Sequence, residues 1–126
     1  MSEAAASATG SLPSVISGYL AASDRGDAEA MVRCMAEDAV VVDEDQEWRG
    51  TAAIRRWRDT VATAYDYTVQ VTGAKALGEV DGAECHDVYL HLEGNFRGSE
   101  VDLTDRFALR DGRIARLEIV PTEARP

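Results

Sequence analysis

An α+β domain, with its helices first and its strands after, is what this chain predicts, and three observations carry that expectation. Apolar residues recur at helical spacing only before residue 65. From Tyr65 onward apolar and polar residues alternate one for one. The dipeptides Asp81-Gly82, Gly94-Asn95 and Asp111-Gly112 stand between the alternating runs as hairpin signals. Helices segregated from hairpin-linked strands pack on one face of an antiparallel sheet. If that sheet is strongly curved, three helices across its concave side enclose a pocket at the wide end of a cone.

The elements follow in order. Residues 1–10 are small and polar with little to pack, and read as a disordered leader; the domain spans 11–121, and 122–126 is a tail. Ser11 and Pro13 mark a helix start, after which Leu12, Val15, Ile16, Tyr19 and Leu20 form one buried stripe. Gly26 ends this helix. Asp27 caps a second, short one with Ala28, Met31, Val32 and Met35 on its inner side. Asp38 opens a strand, because Ala39-Val40-Val41-Val42 is β-branched and has no helical period. Gly50-Thr51 begins a third helix whose inner face is Ile54, Trp57, Val61 and Ala64 and whose solvated face is Arg55, Arg56, Arg58 and Asp59. Four strands follow at about 67–77, 83–93, 97–110 and 113–120.

Whole-chain properties bound the function. At 126 residues the chain is one domain, too short for separate cofactor and substrate domains. Its 23 acidic against 13 basic side chains give a net charge of -10, which argues against nucleic acid and anionic membranes as partners. No apolar run approaches a membrane span and no basic, apolar signal opens the chain, so the expected location is cytoplasmic. Cys34 and Cys85 lack metal-type spacing and read as reduced structural residues. His86 and His91 face opposite sides of one strand with no third ligand at a sensible spacing, so no metal site is expected.

Asp105 breaks the pattern. Val101, Leu103, Asp105, Phe107 and Leu109 share one face of a strand, so this carboxyl points inward among hydrophobes. Such a group stays protonated, finds a partner, or costs several kcal/mol, roughly, in desolvation. Tyr19 on the buried stripe of the first helix and Asp43 at the end of the first strand lie on faces that should converge with it. Taken singly, the tyrosine is an ordinary core residue and Asp43 an ordinary strand-end residue.

Taken together these residues resemble the NTF2-like superfamily, and within it the SnoaL-like and ketosteroid-isomerase-like branch. The resemblance covers Leu12 to Val120. It is carried by Tyr19-Leu-Ala-Ala-Ser-Asp-Arg-Gly-Asp27, Met31 to Met35, Ala36-Glu37-Asp38-Ala39-Val40, Gly50 with Ile54 and Trp57, and Arg110-Asp111-Gly112-Arg113-Ile114. It implies the cone-shaped fold and a set of roles. Tyr19 matches the isomerase's oxyanion tyrosine and Asp43 its general base. Asp105 matches its protonated oxyanion Asp if the hairpin before Gly112 is one residue shorter. Met35 and Arg58 stand where that enzyme has supporting tyrosines, and Glu44 stands where a Pro follows its base. Val15, Met35, Trp57, Leu103 and Phe107 are the expected walls of the substrate pocket.

The implied chemistry is proton abstraction beside a carbonyl of an apolar small molecule, by an isomerase or cyclase that uses no metal or organic cofactor. Epoxide-hydrolase chemistry with an Asp-Arg-Asp set fits poorly, because Asp105 and Arg106 face opposite ways. The mixed strand face of Asp87, Tyr89, His91 and Glu93 is either solvated or a homodimer surface, and the resemblance implies the dimer. The rival to an enzyme is a noncatalytic ligand-binding or dimerisation module in which the same residues form a satisfied hydrogen-bond cluster.

Overall fold

The computed structural model describes residues 12–122. The leader 1–10, the capping role of Ser11 and most of the tail lie outside them. Helix α1 (Ser14–Asp24) starts after Pro13, whose carbonyl accepts from Ile16 and Ser17 at 3.0 and 3.1 Å. Gly26, at φ 70°, takes the left-handed turn that ends it. Asp27 then caps α2 (Ala28–Arg33) by accepting from the Ala30 N–H at 3.0 Å, and that bond holds its carboxyl below the usual range. Helix α3 (Thr51–Ala64) follows Gly50 as expected.

Six strands form one open sheet: β1 (Met35–Asp43), β2 (Gln46–Arg49), β3 (Tyr67–Val80), β4 (Ala83–Gly94), β5 (Glu100–Arg110) and β6 (Arg113–Pro121), in the order β2-β1-β6-β5-β4-β3. The expected all-antiparallel sheet needs correction, because β1 and β6 pair in parallel and the sheet is mixed. Helix α3 leads the chain from the β2 edge to the β3 edge, and the four-strand meander returns to β1 from the far side. Two further departures share a cause in the same region. Met35 does not continue α2: Cys34 caps that helix, its carbonyl accepts from Ile114 N–H at 2.9 Å, and Met35 pairs with Ile114 as the first residue of β1. The charged segment after Asp43 is a hairpin, with Glu44 and Asp45 at φ 51° and 63° forming a tight turn into β2.

The core is a floor of paired residues running across the sheet. Val41 pairs with Leu117, and Leu117 with Phe107. These three are at most 1% exposed, and Ile16, Met31 and Ile54 cover them from the helices. Each such side chain contributes roughly 1.5–3 kcal/mol by leaving water. No described helix is long and apolar enough to cross a membrane.

The Asp81-Gly82 and Asp111-Gly112 turns join their strands directly, with left-handed φ at both residues. Gly94-Asn95 does not. The β4–β5 connection is five residues long, and Gly94 is needed because the start of β3 passes against it. A Cβ there would lie 2.6 Å from the Asp66 carbonyl and 2.6 Å from Tyr67 Cβ. The Gly94→Ala variant is therefore expected to lose roughly 1–3 kcal/mol of stability, measured by urea unfolding, with backbone displacement as the cause.

Candidate active site

A cavity of about 820 Å³ lies between the helices and one face of the sheet. Its wall is built from two rows of register partners. Val69, Leu92 and Val101 form one row, and Val71, Leu90, Leu103 and Pro121 the next; all seven line the cavity. The following row is Asp105, Ile119 and Asp43, since Ile119 of β6 pairs with Asp105 of β5 on one side and Asp43 of β1 on the other. Register partners point to the same face, so two carboxylates stand side by side across one isoleucine, with Cα atoms roughly 10 Å apart by strand spacing. Phe107 belongs to the next row inward, the core floor.

Asp105 is 5% exposed, and no donor among the described residues reaches its carboxyl. Burial, helped by the negative charge of Asp43, raises its pKa from 3.8 to about 7. Asp43 is half-buried, and one oxygen is held by the indole of Trp57, Nε1 donating to Oδ2 at 3.0 Å. Tyr19 hangs from α1 with its ring edge-on to Phe107, centroids 5.6 Å apart at 74°. Burial pushes its phenol well above the ordinary value, the charge of Asp105 adds to this, and Arg58 opposes it. Tyr19 therefore keeps its proton and is a neutral donor at the cavity wall.

Of the eight residues expected at the site, Tyr19, Asp43, Asp105, Trp57 and Leu103 line the cavity. Val15, Met35 and Phe107 are not among its lining residues. Met35 and Phe107 are 2% and 1% exposed in the core beneath, and Val15 packs against that core. Among the further lining residues are Arg58 and Tyr67. Arg58, expected both on the solvated face of α3 and at the place of a supporting tyrosine, is half-buried, donating from one terminal nitrogen to Tyr67 Oη at 3.0 Å and from the other to the Ser23 carbonyl at 3.4 Å. Its spacing held the signal, since it follows Ile54 by four positions and precedes Val61 by three. Tyr67 shares the period-two face of Val69 and Val71. At the mouth, Tyr65 and Phe96 meet edge to face with centroids 6.1 Å apart.

The histidines lie elsewhere. His86 contacts Glu84 at 2.6 Å. His91, on the opposite face of the sheet, has Asp102 at one nitrogen, 2.7 Å away, and Glu93 and Glu100 at the other. Together His91, Glu93 and Glu100 are the grouping among the described residues whose atoms could converge on a metal, although both glutamates are mostly exposed.

Residues 16–117 match the SnoaL-like domain, and the chain belongs to this family of the NTF2-like superfamily. Among solved structures it is similar to a protein from Sinorhizobium meliloti proposed to be a polyketide cyclase, at 35% identity, TM-score 0.81, covering 89% of this chain and 98% of that one. It also shares its fold with the epoxide hydrolase/cyclase-like enzyme of pyran ring formation in the polyether salinomycin, at 22% identity, TM-score 0.70, covering 86% and 88% of the two chains. A Catenulispora acidiphila protein with a ketosteroid isomerase-like fold aligns at 16% identity and TM-score 0.73, covering 89% and 88%. No protein of curated function matches.

A carboxyl with a folded pKa above its unfolded value destabilises the fold as pH rises. For Asp105 the effect is absent below about 4, grows toward about 7 and is complete above it. Asp105→Asn is therefore expected to gain on the order of 2–4 kcal/mol over the parent at alkaline pH compared with acid pH, read by denaturant unfolding across that range.

Proposed function

We propose that this chain is a cofactor-independent isomerase or cyclase that removes a proton beside a carbonyl of an apolar small molecule. The observation that carries the reading is Asp105: a buried carboxyl without a protein partner, on the wall of the same cavity as Tyr19 and Asp43. Asp43, oriented by Trp57, takes the proton. Negative charge then develops on the carbonyl oxygen, where the Tyr19 hydroxyl and protonated Asp105 donate hydrogen bonds. Asp43 returns the proton to a different carbon in an isomerisation. In a cyclisation the enolate carbon instead attacks a second carbonyl, and the new alkoxide takes up the proton that Asp43 removed. The apolar rows around the site exclude water, which strengthens each of these hydrogen bonds.

Deuterium exchange at the acidic carbon of a panel of cyclic ketones tests this. Asp43→Asn is expected to slow exchange by at least ~100-fold. Asp105→Leu should cost roughly 10²–10³-fold, and Asp105→Asn, which keeps a donor, less. Exchange should also fall as pH rises through about 7, where Asp105 loses its proton. If Asp43→Asn changes nothing, or the parent exchanges no ketone that it binds, the chain is a noncatalytic ligand-binding or dimerisation module.

The same reading includes a homodimer formed through the sheet face turned away from the cavity. Lys75, Asp87, Arg106 and Glu118 are successive register partners there, an alternating ladder of charge that can meet its own copy across a twofold axis. Tyr89 and His91 extend the same face. Sedimentation equilibrium at micromolar concentration should give a dimer; a monomer throughout would remove this part of the proposal.

A further inference from the structure

Arg58 is a cation without a counter-ion among the described residues. Arg25, Arg49, Arg55 and Arg106 each have a carboxylate within salt-bridge distance, on Asp27, Glu47, Glu29 and Asp87. Arg58 has none among the described residues, and unlike the other cations that lack one, such as Arg56 and Arg97, it is not exposed. It lines the cavity, half-buried, where an unneutralised charge costs more than at the surface. Its donors are only partly used. Each terminal nitrogen spends one N–H, on Tyr67 and on the Ser23 carbonyl, and Nε is enclosed with no acceptor. One N–H remains on each terminal nitrogen for a further acceptor. Tyr67 Oη already accepts from Arg58, so its own proton is free for another acceptor, and Tyr67 also lines the cavity.

The guanidinium comes from α3, whereas Asp43, Ile119 and Asp105 stand on β1, β6 and β5. Its charge acts on Tyr19, whereas the charge acting on Asp105 is that of Asp43. Of the lining carboxylates, Asp24, Glu44 and Asp45 are exposed at the rim, where solvent screens them.

We propose that Arg58 and Tyr67 form a carboxylate-binding subsite, so that the ligand of this cavity is an apolar carbonyl compound carrying a free acid group. A ligand carboxylate would accept from both terminal nitrogens of Arg58 and from the Tyr67 hydroxyl, neutralising the stranded cation and fixing which carbon faces Asp43. This rests on the cavity being a small-molecule site, and not on Asp43 acting as a base.

The test compares binding of a carboxytetralone with its methyl ester at pH 6, where the ligand acid is ionised and Asp105 keeps its proton, followed by calorimetry and by the fluorescence of Trp57 in the cavity wall. The acid should bind the parent at least ~10-fold more tightly than the ester, as charge-assisted hydrogen bonds imply. Arg58→Met should abolish that preference and leave ester binding nearly unchanged, while Arg58→Lys, a point charge without the fork, should retain part of it. Tyr67→Phe should weaken the acid more than the ester. Equal binding of acid and ester by the parent overturns the proposal without any variant, and so does a preference that survives Arg58→Met in a protein of parental unfolding midpoint. Asp43→Asn should keep the acid preference. Loss of exchange chemistry with that preference intact, or the reverse, tells failure of the catalytic reading from failure of this one.

Discussion

Ile119 holds the site together. It pairs with Asp105 on one side and Asp43 on the other, so the spacing of the two carboxylates is set by backbone hydrogen bonds in three adjacent strands. Neither carboxylate depends on a flexible loop for its place. This arrangement exists only because β6 runs parallel to β1 at the end of the meander, bringing residues from opposite ends of the chain into one row. A slip of one residue in either pairing would turn an aspartate to the other face of the sheet and replace it with a neighbour. The register is protected against that slip by the row beneath, where Val41, Leu117 and Phe107 are nearly inaccessible and would be forced into water.

The position of Asp105 follows from the same stacking of rows. One row deeper lies the apolar floor, and one row outward lies the apolar wall of Leu90 and Leu103, so the carboxyl has little water on either side. Desolvation by both rows raises its pKa, and the neighbouring negative charge of Asp43 raises it further. The fold accepts lower stability at neutral pH as the consequence. Tyr19 cannot relieve the strain by ionising, because the same burial and the same carboxylates hold its proton in place. Two groups that hold their protons below about pH 7, beside a carboxylate on the same wall, are the arrangement on which the proposed enolate chemistry rests.

Much of this was legible from residue types alone, and the failures have local causes. Helix α3, the Asp27 cap and the hairpins at Asp81-Gly82 and Asp111-Gly112 follow from short-range signals that tertiary contacts do not override. The inward direction of Asp105 followed from alternation within one strand. Strand β2 was hidden because Glu44 and Asp45 make a tight turn without glycine, a conformation that acidic residues adopt less often than Asn-Gly. Met35 fits a helical stripe equally well, and only its pairing with Ile114, far along the chain, draws it into the sheet. The parallel β1–β6 contact has no local signature at all. The solvated-face expectation for Arg58 fails for a different reason: its charge points to solvent, whereas its position relative to Ile54 and Val61 puts it on the inner side.

The division of the cavity between elements has a functional reading. The row of Asp43, Ile119 and Asp105 belongs to the central strands β1, β6 and β5, which are paired on both sides. Trp57, Arg58 and Tyr19 come from helices laid over that sheet, and Tyr65, Phe96 and Arg97 come from connections at the mouth. Substitution in the helices or connections changes what the cavity accepts without disturbing the register that spaces the carboxylates. Substitution in the central row disturbs both. A fold arranged in this way can hold one kind of proton chemistry constant while its ligands vary. On the proposed reading, the stranded charge of Arg58 would therefore bear on which ligand the cavity takes rather than on the reaction itself.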